Sequence, residues 1–109
     1  MARADGGAVV GDTSWTVNDS VAQGRKMVRE ISKLMLRAYN AEADALVRGL
    51  KPYKLSSAVQ RLGKARETIE RLGRTLGIRI NPQYHALRVA ELELTADFLA
   101  KKDEEKERE

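Results

Sequence analysis

Residues 20–49 read SVAQGRKMVREISKLMLRAYNAEADALVRG, and this stretch decides the fold. Ser20 and Gln23 have the spacing of a helical capping box, while Gly49 followed by Pro52 is a typical stop signal. Between these ends apolar residues recur every three or four positions, which is the helical period. The residues that gather on one side of this helix are Met27, Val28, Ile31, Leu34, Met35, Ala38, Ala45 and Leu46. The sequence therefore predicts a long first helix with one apolar side.

Two further helices follow from the same kind of signal. A second apolar stripe predicts a helix from about Leu55 to Leu76, which Gly77 terminates as a C-terminal cap. Asn81-Pro82 is an N-cap followed by proline at the first helical position, so it starts the third helix. The pattern places Tyr84, Leu87, Leu94 and Phe98 on the inner side of that helix.

A short β-hairpin is expected before the first helix. Ala8–Val10 and Thr13–Val17 flank Gly11-Asp12, a dipeptide suited to a tight turn. Since two short strands are marginal alone, Trp15 should anchor them on the helices.

The predicted fold class is mainly α: three helices with a short N-terminal β-hairpin, the last helix extending as a coiled-coil-like arm. Residues 1–7 form a flexible start, 8–100 a single helical domain with the hairpin, and 101–109 a charged helical tail that resembles a truncated coiled coil. The residues expected to be buried together are Trp15, Ile31, Met35, Leu62, Ile69, Leu87 and Leu94.

Composition limits the class of protein. A chain of 109 residues has room for one modest core, and the absence of cysteine excludes disulfides and thiolate metal sites. No apolar run is long enough to span a membrane, so the expected location is the cytoplasm, with a longer parent compatible with anchoring at the inner face of the membrane. Residues 1–80 carry fifteen Lys/Arg against eight Asp/Glu, whereas 81–109 carry five against eight. The basic part suggests an anionic partner.

Four cations of the first helix, Arg25, Arg29, Lys33 and Arg37, are spaced four residues apart, with Lys26 alongside. We call these five residues the basic ridge, and they are expected opposite the apolar side. A narrower ridge on the second helix contains Arg61, Lys64, Arg71 and Arg74. Lys/Arg ridges neutralise phosphates in nucleic-acid complexes, but they also form ordinary solvated helix faces or bind acidic proteins. The sequence leaves these alternatives open.

Two carboxylates are predicted to be buried. Glu42 and Glu91 fall near the middle of the apolar sides of their helices, where a charge is costly unless it is paired. Converging carboxylates can bind a metal or act as an acid/base pair, but more often they accept hydrogen bonds from neighbouring side chains. We interpret both as structural, with no metal and no cofactor.

Catalytic patterns are weak. His85 is the only histidine, and its position in the first turn of the third helix predicts a surface location. No serine lies in a nucleophile motif, and the glycines are not arranged as a phosphate-binding loop. No catalytic residue is assigned.

The chain from Ala8 to Lys102 resembles a bacterial and phage domain of unknown function. That domain lies between an N-terminal coiled-coil or membrane-anchored segment and a C-terminal GIY-YIG-type nuclease domain. The matching segments and residues are Ala8-Val9-Val10, Trp15-Thr16-Val17-Asn18, Gly24-Arg25-Lys26-Met27, Lys33-Leu34-Met35-Leu36-Arg37-Ala38-Tyr39-Asn40, Glu42, Asp44, Leu72-Gly73, Tyr84, Leu87, Glu91 and Leu92.

The resemblance implies a longer endonuclease of anti-phage or mobile-element type. The GIY-YIG motif itself is absent from this chain. The function expected is therefore that of a non-catalytic recognition or assembly domain, binding a protein partner or associating with itself through its helices. The alternative is a DNA-binding domain that presents nucleic acid to the nuclease through the basic ridge.

Overall fold

The computed structural model describes residues 9–10 and 21–108, and within them the chain is mainly helical. In chain order the elements are strand β1 (Val9–Val10), helix α1 (Val21–Arg48), a 3-10 turn (Pro52–Lys54), helix α2 (Leu55–Gly73), a second 3-10 turn (Arg74–Leu76), strand β2 (Arg79–Ile80) and helix α3 (Pro82–Arg108). The three predicted helices are confirmed. The domain boundaries and the coiled-coil character of the tail stay predictions.

Two of the predicted capping residues act as caps, although α2 itself ends at Gly73, three residues before its predicted end at Leu76. The Asn81 side-chain oxygen accepts a hydrogen bond from the backbone N–H of Gln83 at 2.8 Å, as an N-cap does. Gly77 has φ 68°, the left-handed conformation that favours glycine, and it ends the turn that follows α2. α3 continues through the charged tail as far as Arg108. Within residues 21–108, no helix combines the length and the apolarity needed to cross a membrane.

Helices α1 and α2 form an antiparallel pair joined by a short connection, and most of the core lies between them. Tyr39 and Leu62 are fully buried, and Met35 and Ile69 are almost so. At the far end of the pair Gly73 lies against Met35, because a Cβ at position 73 would stand 2.6 Å from the Met35 sulfur. The predicted burial of Met35, Leu62 and Ile69 is confirmed, and Ile31 is partly buried.

The N-terminal hairpin is not supported. β1 pairs antiparallel with β2, with Val9 opposite Ile80 and Val10 opposite Arg79. The predicted second strand, Thr13–Val17, and its Trp15 lie outside the described residues. Ile78 and Ile80 are buried on either side of exposed Arg79, so β2 is already an extended segment laid on the core. The backbone of β2 therefore offers unpaired hydrogen-bonding groups with which β1 can pair. A turn motif near β1 gives no information about so distant a partner.

The inner face of α3 differs from the prediction. Leu87 and Leu94, expected in the core, are 68% and 70% exposed. Leu92 and Ala96 are buried instead. Since α3 has apolar residues on two opposite sides, its periodicity did not decide which side faces α1 and α2. The packed side is the one that also presents polar partners to α1, as the next section describes.

Candidate functional site

The basic ridge lies at the surface. Arg25, Lys26, Arg29, Lys33 and Arg37 are all exposed along α1. Lys26 Nζ and Glu30 Oε1 are 4.0 Å apart, and both side chains are mostly solvated. Such a pair contributes little stability, so the ridge stays an open cationic surface. Its role in binding stays a prediction.

A shallow groove of about 470 Å³ runs between α1 and α2. Its lining includes Ala38, Ala65 and Ile69, with Arg61 and Lys64 of the second ridge beside them. Glu42 also borders this groove and is exposed, so its predicted burial is wrong. The buried face of α1 contains Tyr39 and Ala43, and Glu42 lies to one side of that face on the helical wheel.

Glu91 is exposed as well, which corrects the second predicted buried carboxylate. It lies about 100° around α3 from buried Leu92, on the solvent side. Its Oε1 is 3.3 Å from Arg88 Nε, a contact at ion-pair distance without hydrogen-bond geometry.

Three polar contacts join α1 to α3, and we call them the polar seam. The Tyr39 hydroxyl and His85 Nδ1 are 2.7 Å apart. The Tyr84 hydroxyl donates to Asn40 Oδ1 at 2.6 Å. The third contact is the ion pair of the Arg88 guanidinium with Asp44, also at 2.6 Å. The seam fixes the rotation of α3 about its own axis, because all three contacts come from one side of each helix.

His85 belongs to this seam and is not a surface residue, contrary to the prediction from its position. It is half-buried, and its ring lies 6.0 Å from that of Tyr39 between centroids. Burial, followed by the nearby Arg66 charge, lowers the pKa of His85, while Glu70 opposes the shift. The imidazole is therefore neutral at pH 7 and can accept a hydrogen bond from the Tyr39 hydroxyl at Nδ1.

The pKa values of two further seam residues, Tyr39 and Arg88, are raised, which keeps both side chains protonated at pH 7. Burial raises the pKa of Tyr39 to about 12, although Arg88 and Arg66 act against it. Burial alone would lower the pKa of Arg88, but the hydrogen bond to Asp44 and the charge of Glu91 raise it. A hydroxyl with a raised pKa is not an activated nucleophile. The seam therefore acts as a connector between helices.

No His, Asp or Glu triplet in residues 9–10 and 21–108 is arranged to hold a metal ion. The sequence reasoning missed the polar seam. The sequence did contain a signal for it, because two helices carry polar and aromatic residues at nearly the same spacing. These are Tyr39, Asn40 and Asp44 on the first helix and Tyr84, His85 and Arg88 on the third.

The opposite side of α3 presents apolar residues to solvent. Leu87, Leu94 and Phe98 are 68%, 70% and 59% exposed, and we call them the α3 stripe. The Lys102 ammonium is 5.5 Å from the centroid of the Phe98 ring. Their spacing of seven and four residues places them in line along the helix.

Comparison with known proteins identifies a family. Residues 1–103 match the model of the SNIPE associated domain, which covers nearly the whole chain and includes the segments that carried the resemblance. No curated protein and no solved structure matches the chain.

Proposed function

Because the chain belongs to the SNIPE associated domain family, we propose that it is a non-catalytic recognition and assembly domain of a larger anti-phage nuclease. In this proposal the domain binds a protein partner through an exposed helix face, and a separate GIY-YIG-type domain cuts nucleic acid. The family suggests an association with a nuclease. The surface described above suggests how the domain contributes.

The observation that carries the proposal is the α3 stripe. Its three large apolar side chains are each more than half exposed, and they share one helix face. Burying one such side chain contributes about 1.5–3 kcal/mol. Exposed apolar residues that lie together mark interaction surfaces more often than scattered ones do. A helix that packs polar seam residues inward and leaves leucines outward is well suited to bind a second protein.

The polar seam supports the non-catalytic part of the proposal. Each seam group already has a partner within the domain, so Tyr39, His85 and Arg88 are occupied in joining helices. Burial, complete for Tyr39 and partial for His85, raises the pKa of Tyr39 and lowers the pKa of His85. Both pKa shifts favour the neutral, hydrogen-bonded form of the side chain, and neither activates a nucleophile.

A second candidate function is DNA binding by the basic ridge. The five ridge cations are exposed along one helix, a surface able to neutralise phosphates. Such binding would be independent of sequence and would weaken steeply with salt, by a slope of about −0.9 for each phosphate contacted.

The test compares two charge-altering variants in the full-length protein that contains this domain. Leu94→Glu with Phe98→Glu disables the α3 stripe, and Arg29→Glu with Lys33→Glu reverses the ridge. We expect the stripe variant to lose protection against phage while retaining nuclease activity on DNA in vitro. We expect the ridge variant to retain protection. Circular dichroism on each variant of the isolated chain verifies that the helices are intact.

The opposite pattern would reverse the ranking. If the ridge variant loses both protection and salt-sensitive duplex binding, while the stripe variant retains both, DNA binding is the function of the domain.

A further inference from the structure

We propose that Leu94 and Phe98 of the α3 stripe bind the same two residues of a second copy of this chain, with the two helices antiparallel. This inference rests on the proposed function, because it names the partner that binds the α3 stripe. It is supported by the position of the stripe on the outer side of α3 and by the charged residues that lie along the same face. Those charges also favour one relative orientation of the two helices.

The stripe lies on the side of α3 that faces away from the core. Each residue advances 100° around a helix, so Leu94 lies about 160° from buried Leu92. Leu87 lies about 20° from Leu94 around the helix, and Phe98 lies about 40° from it. Two copies can therefore meet along this face with α1 and α2 of each copy on the outside, and no residue of the existing core has to move.

Two charged residues lie along the same face, one before Leu94 and one after Phe98. Glu91 lies between Leu87 and Leu94, and Lys101 follows Phe98 by three residues. Both charged side chains are exposed. Leu94 and Phe98 therefore form an apolar centre, with the acidic Glu91 before it and the basic Lys101 after it.

Charge complementarity selects the antiparallel orientation. In an antiparallel pair with Leu94 opposite the second copy's Phe98, Glu91 lies opposite the second copy's Lys101. Two-fold symmetry repeats each of these contacts, so the face is complementary to itself. In a parallel pair Glu91 would face Glu91 and Lys101 would face Lys101, and like charges in register are destabilising.

Sedimentation equilibrium on the 109-residue chain tests the association. We expect a mass of twice 12.2 kDa, that is about 24.4 kDa, at concentrations near 100 μM. Leu94→Glu should shift the chain to monomer, with an increase in dissociation constant of at least tenfold. The matched control is Leu72→Glu on α2, where the leucine is 74% exposed, and this variant should remain dimeric. Circular dichroism on both variants distinguishes loss of association from loss of folding.

Disulfide cross-linking tests the orientation, because the chain has no cysteine of its own. A mixture of Glu91→Cys and Lys101→Cys chains should form a heterodimeric disulfide faster than either variant links to itself. Faster self-linking of Glu91→Cys than of the mixture would overturn the antiparallel arrangement.

A monomeric wild-type chain, or a dimer that Leu94→Glu leaves intact, would overturn self-association through the stripe. The proposed function fails by a different result, namely full protection against phage by the full-length stripe variant. A monomeric chain together with loss of protection in that variant would reject only the second-copy occupant.

Discussion

The interface of α1 with α2 differs in kind from its interface with α3. Against α2 it packs apolar groups, with Met35, Leu62 and Ile69 nearly or fully excluded from water. Against α3 it makes the polar seam, in which Tyr84 and Arg88 bond to side chains of α1 at 2.6 Å. Tyr39 takes part in both, since its ring is fully buried while its hydroxyl contacts His85.

The two interfaces contribute to the fold in different ways. Apolar burial between α1 and α2 stabilises the fold but is non-directional, so it tolerates several rotations of a helix. Hydrogen bonds across the seam contribute less net free energy, yet they are satisfied in only one rotation of α3. The seam thereby determines which apolar side of α3 turns inward and which one forms the α3 stripe.

Leu62→Ala should have the largest effect, because it opens a cavity in the apolar interface. We expect the free energy of unfolding to fall by about 2–5 kcal/mol, measured by urea denaturation followed by circular dichroism. Leu72→Ala is the matched control, and at 74% exposure it should change stability by less than about 0.5 kcal/mol. Equal losses for the two variants would mean that α2 does not pack as described.

Gly73→Ala tests the close approach of α2 to α1. An added Cβ would lie 2.6 Å from Met35 Sδ and 2.9 Å from Ile78 Cβ, so we expect a loss of about 1–3 kcal/mol. Gly63→Ala in the same helix meets nothing within 4 Å and should instead stabilise by about 0.5–1 kcal/mol. Thermal unfolding of both variants, with opposite signs of the change in Tm, would confirm the contrast, and equal signs would refute it.

Arg88→Met tests the strongest contact of the polar seam. Hydrogen bonds to charged groups contribute about 1.5–3 kcal/mol, and we expect the lower end because the Asp44 side chain is 54% exposed and can be solvated. A double-mutant cycle with Asp44→Asn isolates the pair. Purely additive single effects would show that the ion pair contributes nothing to the seam.

The smallest effect is a pH dependence from His85. Its folded pKa lies below its ordinary value of 6.5, so the unfolded chain binds the proton more readily. The stability that neutral His85 contributes is fully present above pH 6.5 and is lost as the pH falls through the lower folded value. Urea denaturation at several pH values should show this decrease, and His85→Gln should reduce it. An identical pH profile in the variant would exclude His85 as its source.

Local signals predicted the helices well because helix ends depend on nearby residues. Asn81-Pro82 starts α3 as predicted, and Gly77 acts as a cap, although of the 3-10 turn that follows α2 and not of α2 itself. The basic ridge also followed from spacing alone, since exposure along α1 requires only the helical period.

What could not be predicted depends on contacts between distant parts of the chain. The exposure of Leu87 and Leu94 follows from the rotation of α3, which is determined by partners 44 to 46 residues away. The same contacts explain why His85 is half-buried and Glu91 exposed. A helical wheel identifies two apolar sides but contains no information about which one meets another helix.

The pairing of β1 with β2 has a kinetic consequence. It joins Val10 to Arg79 and Val9 to Ile80, which are 69 and 71 positions apart, whereas the α1–α2 pair forms through a short connection. Closing so long a loop costs conformational entropy, and only the pairing of two residues in each strand offsets that cost. The β1–β2 pairing should therefore form after the helices and open before them. In a native-state hydrogen-exchange experiment, its amide protons should exchange by local opening, long before those of the helix interiors.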